Sequence, residues 1–164
     1  MIPSTVDRVP AHTAEEINEQ IRRRTENNIR YVARSGIGAI EHRLNELDEE
    51  WDIERTLEAN AATASLIGLA LGATVDRRWF LFPGVVAGFL LLHAVQGWCP
   101  PLPLFRRLGI RTASEIDYER YALKAIRGDF KGTNNHSGAD GGDVAKRAFD
   151  AVSGYAAPIV NPRQ

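Results

Sequence analysis

Two uncharged runs decide the fold: ANAATASLIGLALGATV (Ala59–Val75) and WFLFPGVVAGFLLLHAVQGWC (Trp79–Cys99), joined by Asp76-Arg77-Arg78. No Asp, Glu, Lys or Arg interrupts either run, and the second stays uncharged to Phe105. At 1.5 Å per residue the first run makes a helix of about 25 Å, near the lower limit for crossing a bilayer core. The second is longer and richer in Leu, Phe and Val. Three charged residues between them allow only a tight turn, so the expected product is an antiparallel transmembrane hairpin. Trp79 and Trp98 flank the second run, where amphipathic indoles favour the headgroup region, and Arg106 and Arg107 follow as further interfacial anchors. Each run holds one Gly-xxx-Gly pair, Gly68–Gly72 and Gly84–Gly88, the spacing that lets helix backbones approach in lipid. A buried helical pair in a water-soluble assembly is the competing expectation, because Asn60, Thr63 and Ser65 dilute the first run.

Outside the hairpin the chain is polar. Its 164 residues carry 20 Lys+Arg against 21 Asp+Glu, so no basic field points to nucleic acid. One cysteine, Cys99, excludes an intrachain disulfide framework and a Cys-only zinc site. Met1-Ile2-Pro3-Ser4 lacks a basic stretch before an apolar one, so no cleavable signal peptide is expected. The expected class is all-α. Its parts are a leader (1–12), a long amphipathic arm (13–58), the hairpin (59–105), a short juxtamembrane helix (106–131), and a Gly-rich linker with a tail helix (132–164).

In the arm, Thr13 and Glu16 have capping-box spacing. Ile37, Ile40, Leu44, Leu47 and Trp51 alternate intervals of three and four, which draws one apolar stripe along a helix. Gly36 and Gly38 mark a hinge or a close helix approach. Little other polar chain exists to cover the stripe, so it is expected to meet another copy or a protein partner. Beyond the hairpin, Pro100, Pro101 and Pro103 end the helix. Ser114 with Asp117, in preference to Thr112, is expected to open the next helix, and Gly128 to close it. The tail helix, Val144 to Val152, is expected to dock on a neighbouring subunit. Arg55, Arg106, Arg107 and Arg111 on one side of the hairpin outnumber Arg77 and Arg78 on the other. That imbalance places both termini in the cytoplasm.

The block Gly97-Trp98-Cys99-Pro100 followed by Leu108-Gly109-Ile110 resembles the YgaP-like inner-membrane domain family. The resemblance covers about residues 56–112. It implies a bacterial two-helix membrane domain that associates through its helices, and no reaction. The rhodanese domain that sometimes accompanies that family is absent here: Cys99 is followed by Pro-Pro-Leu-Pro, not by an anion-cradling loop, so sulfurtransferase activity does not carry over.

Two residues have candidate chemistry. Cys99, at a segment end, is a possible persulfide carrier, acyl acceptor, or haem or metal ligand, against the plainer role of a small packing residue. His93 is ionisable within an apolar run, which makes it a functional candidate by default, or a neutral ring bonded to the neighbouring helix. Six positions separate the two, about 120° apart on a continuous helix, so they are not expected to act as a pair. The acidic cluster Glu46, Asp48, Glu49, Glu50, Asp52 and Glu54 lacks calcium-loop spacing and reads as a solvated face. No phosphate loop, dinucleotide fingerprint or nucleophile elbow occurs, and no cofactor or metal is expected. The expected function is therefore that of a non-enzymatic bacterial inner-membrane protein, partnered by lipid and by its own copies. A sulfur or redox accessory using Cys99 and a soluble helical homo-oligomer are the alternatives.

Overall fold

The computed structural model describes residues 4–131. Every regular element among them is helical: α1 (Glu15–Ser35), α2 (Ile37–Glu49), α3 (Ile53–Thr74), α4 (Leu81–Gln96), α5 (Leu102–Arg107) and α6 (Ala113–Arg127). Single 3-10 turns lie at Pro10–His12 and Arg77–Phe80. The linker and the tail helix expected over 132–164 lie outside the described residues.

The arm is not one extended helix. Gly36 adopts φ +95° between α1 and α2, a conformation that side chains disfavour, and the two helices fold against each other and against α6. Their shared core is Val32, Ile40, Leu44, Leu47, Ile116 and Leu123. The stripe expected to await a partner is thus covered by the chain's own α6 over its central residues, while Ile37 and Trp51 at its ends are exposed. Trp51 instead lies under the Arg55 guanidinium, 4.1 Å from the ring centre. Thr13 does not cap α1. The helix begins at Glu15 without a side-chain cap, and the Thr13 hydroxyl donates to the Val9 carbonyl at 2.9 Å. The cap of α6 is also displaced: Thr112 and Glu115, not Ser114 and Asp117, form the reciprocal box. Gly128 ends α6 as expected.

Helices α3 and α4 run antiparallel, as the pairings Gly72 with Phe80, Gly68 with Phe82 and Pro83, and Glu54 with His93 require. A Cβ added at Gly68 would lie 2.7 Å from the Phe82 ring, and one at Gly72 would lie 2.8 Å from the Phe80 ring. Asp76 holds the turn by accepting from the Arg78 backbone N–H at 2.8 Å. The helical run Arg77–Gln96 has a mean hydropathy of 1.7, and 6% of its most apolar stretch is buried. Among the described residues it is the single helix long and apolar enough to cross a membrane. Helix α3 is longer, at 22 residues, but its first turns carry Glu54, Arg55 and Glu58. Farther along, Thr63 and Thr74 hide their hydroxyls on the carbonyls of Ala59 and Ala70.

A second core, Val9, Ile53, Leu57, Cys99 and Leu102, closes the root of the hairpin. Buried arginines join it to the bundle. Arg106, expected as a headgroup anchor, is 1% exposed and spends all five N–H donors inside the protein. Nε donates to Thr13 Oγ1 (3.2 Å), and Nη1 to the Ile110 carbonyl (3.0 Å) and Glu115 Oε2 (2.7 Å). Nη2 donates to Asn18 Oδ1 (3.1 Å) and Glu115 Oε1 (2.7 Å). Burial disfavours the charged Glu115 carboxylate, yet the bonds from Arg106 and Thr112 outweigh it and hold the group below its usual range. Replacing Glu115 by Leu should therefore cost about 3–5 kcal/mol of bundle stability by stranding a buried cation. Heat unfolding in detergent checks this. The Arg106→Leu/Glu115→Leu double variant should recover part of the loss, and purely additive losses would refute the coupling.

Candidate functional site at the hairpin root

Three chain segments meet where α4 ends: the leader, the first turn of α3 and the Gly97–Pro101 corner. Asp52 starts α3 by accepting from the Arg55 N–H at 2.8 Å, which places Glu54 in the first turn facing α4. Gly97 ends α4 with φ +87°, its N–H returned to the His93 carbonyl at 2.7 Å. Two constraints select glycine here. The backbone conformation is left-handed, and an added Cβ would lie 2.3 Å from the Arg8 carbonyl oxygen.

His93 is 2% exposed. Its Nε2 donates to Glu54 Oε2 at 3.0 Å, a direction fixed by the carboxylate being an acceptor. Glu54 Oε1 accepts from Arg8 Nη2 at 2.8 Å, and Arg8 Nη1 donates to the Ala94 carbonyl at 2.7 Å. The order is thus leader arginine, α3 carboxylate, α4 imidazole. The hydrogen bond from His93, with Arg8 adding to it, holds the Glu54 carboxyl below its usual range although burial opposes this. His93 Nδ1 is buried, and among the described residues the Cys99 thiol is the one group left to meet it.

Cys99 is 4% exposed, in the root core, and the His93 ring is its polar neighbour. The two residues that a continuous helix would hold 120° apart are brought together because α4 stops at Gln96 and the chain turns back through Gly97. Among the described residues no three His, Cys, Asp or Glu side chains are grouped to hold a metal ion. An apolar groove of about 250 Å³ opens beside Cys99, between α3 and α4, walled by Leu57, Phe82, Val86 and Phe89.

The expected helix-packing glycines divide. Gly68 and Gly72 are buried inside the hairpin, whereas a Cβ on Gly84 or Gly88 would meet nothing within 4 Å among the described residues. Trp79 and Trp98 pack edge-on against Phe82 and Phe89, with ring centres 6.2 and 6.3 Å apart. Arg107 is exposed, unlike Arg106. Residue patterns alone missed Arg8, Glu50, Glu54 and Glu119. Glu50 and Glu54 sit in the cluster expected to be solvated, yet Glu50 accepts from Arg111 at 2.8 and 2.7 Å. Glu119, 0% exposed, accepts from Arg43 at 2.8 Å and Arg111 at 2.6 Å. For Glu50 and Glu54 the available signal was the density of carboxylates, six from Glu46 to Glu54, between Arg43 and Arg55.

Compared with known proteins, the chain matches no family model, no curated protein and no solved structure.

The depressed Glu54 value sets a pH dependence. Its contribution is present above the ordinary value of 4.5 and is lost as the pH falls through the lower folded value. Glu54→Gln should thus be less stable than the wild type at neutral pH, and the gap should close below 4.5. Unfolding midpoints measured across acid and neutral buffers decide it; a gap independent of pH would remove Glu54 as the titrating clasp.

Proposed function

We propose that this chain is a non-catalytic protein of the bacterial inner membrane, anchored by the α3–α4 hairpin and assembling with its own copies as a scaffold or accessory subunit. The observation that carries the proposal is the apolar coat of the hairpin. Leu66, Ile67 and Leu69 of α3, Val75 just after it, and Leu81, Val85, Leu91 and Val95 of α4 are all exposed. A contiguous surface of this kind is unfavourable in water and favourable in hydrocarbon. The charged bundle and the clasped root lie at one end of the hairpin, and Arg77 and Arg78 at the other. With Arg55, Arg106, Arg107 and Arg111 on the bundle side, both termini belong in the cytoplasm. The resemblance to the YgaP-like domain supports the same reading, since its Gly97–Pro100 block builds the hairpin root.

Self-association is assigned to the outward face of α4. Gly84 and Gly88 leave open space there, while Gly68 and Gly72 are already used within one chain. The full chain should partition into vesicles and need detergent for extraction. A monodisperse particle in detergent-free buffer overturns the membrane assignment. In detergent, Gly84→Leu/Gly88→Leu should weaken association by about 1–2 kcal/mol and leave the hairpin intact. Gly72→Leu should disrupt the hairpin itself. Sedimentation equilibrium and circular dichroism read the two effects separately, and unchanged association of the Gly84/Gly88 variant would move the contact elsewhere.

A second reading, a sulfur or redox accessory, is favoured by the placement of the Cys99 thiol beside His93. In that case Cys99 in membranes should react with a small alkylating probe faster in wild type than in His93→Gln, because the imidazole would assist thiolate formation. Equal rates would leave Cys99 as a packing residue.

A further inference from the structure

A cleft of about 460 Å³ separates α1 from the corner joining α5 to α6. Five arginines line it, with Glu50 as the one carboxylate in the lining. Three are already neutralised: Arg43 and Arg111 by Glu119 and Glu50, and Arg106 by Glu115. Arg24 and Arg107 are exposed and, among the described residues, have no ion pair or hydrogen bond. They supply the cleft's uncompensated charge. Gln20, Arg24 and Asn28 follow one another at intervals of four on α1, so they share a face, and all three line the cleft. Neither amide engages another described side chain or backbone group. On the opposite wall Gly109 sits close beneath Arg24, a Cβ there lying 3.4 Å from Arg24 Nη1. Leu108, 66% exposed, lines the mouth, and with exposed Leu104 it continues the apolar surface where the chain leaves the hairpin.

We propose that this cleft binds the phosphate of an anionic phospholipid, with Arg24 and Arg107 as the charged contacts, Gln20 and Asn28 as neutral donors and Leu108 against the lipid's apolar part. The inference rests on the membrane assignment above. Two guanidinium groups and two amides without partners among the described residues offer several donors to an anion in the cleft, and guanidinium geometry suits phosphate oxygens. The apolar rim at Leu108 selects a lipid phosphate over a free one.

The test uses the full chain reconstituted in mixed vesicles of phosphatidylglycerol and phosphatidylcholine, with native mass spectrometry of the lipid retained after detergent extraction. Wild type should retain phosphatidylglycerol preferentially. Arg24→Gln/Arg107→Gln should reduce that preference roughly thirtyfold. Asn28→Leu, which changes no charge, should reduce it in part. The control Arg30→Gln/Arg34→Gln, also on α1 but outside the cleft, should retain it, and circular dichroism verifies folding of every variant. Equal preference in the wild type and the cleft variant overturns the proposal, as does an equal loss in the control. An inorganic phosphate arm separates the sources: phosphate that binds and displaces lipid fully assigns the cleft to free anions and overturns the lipid. Failure to enter vesicles of phosphatidylcholine alone would refute the membrane assignment together with the proposal. Entry without preference for phosphatidylglycerol refutes the proposal alone.

Discussion

One buried guanidinium holds the two halves of the molecule together. Arg106 belongs to the short helix that leaves the hairpin root, yet its partners come from Thr13 ahead of α1, from α1, the α5–α6 corner and α6. Burying a cation is expensive unless every donor is met, and here every donor is met. The requirement works in reverse as well. Thr13, Asn18 and Glu115 must all be in place for the charge to be tolerated, so the arginine specifies one docking of bundle on hairpin in a way that apolar contact would not. Arg111 repeats the device one turn of chain later, and its carbonyl accepts the Ile53 N–H at 2.8 Å, fastening the start of α3 to the same layer.

How much of this was legible in the sequence follows from the range of the forces involved. The absence of charge from Ala59 to Val75 and from Trp79 to Phe105 is a local property, and it exposes the apolar helices at once. The stripe Ile40, Leu44, Leu47 is also local, and it is buried. What covers it is not local: α6 lies far along the chain, and its own apolar pattern is short. The carboxylate–arginine pairs illustrate the limit. Arg43 and Glu119 are 76 positions apart, and Arg8 and Glu54 are 46 apart. Nothing in the spacing distinguishes the half-buried, arginine-paired Glu50 from its solvated neighbour Glu49. The helical-wheel separation of His93 and Cys99 misled for a related reason, because it assumed a helix that Gly97 ends.

The glycines show how one residue type divides its work by surroundings. Gly68 and Gly72 make room for the phenylalanine rings of the returning strand of chain. Gly84 and Gly88 stand on the open side of α4, where they leave a smooth surface with no neighbour among the described residues. Identical spacing in the sequence therefore carries two physical meanings, and only the position of Phe80 and Phe82 separates them. The acidic residues divide in the same way between solvated positions and buried partners of arginine.

The clasp at Gly97 orders the biogenesis of the molecule. Arg8 is seated by Glu54, by the Ala94 carbonyl and by the bare backbone at Gly97, and the Arg8–Ala94 bond spans 86 positions. A ribosome delivers the arginine before Glu54, and well before Ala94 and Gly97. The leader therefore waits, unseated, until both rods have been made and placed, and its docking reports that the hairpin has been completed.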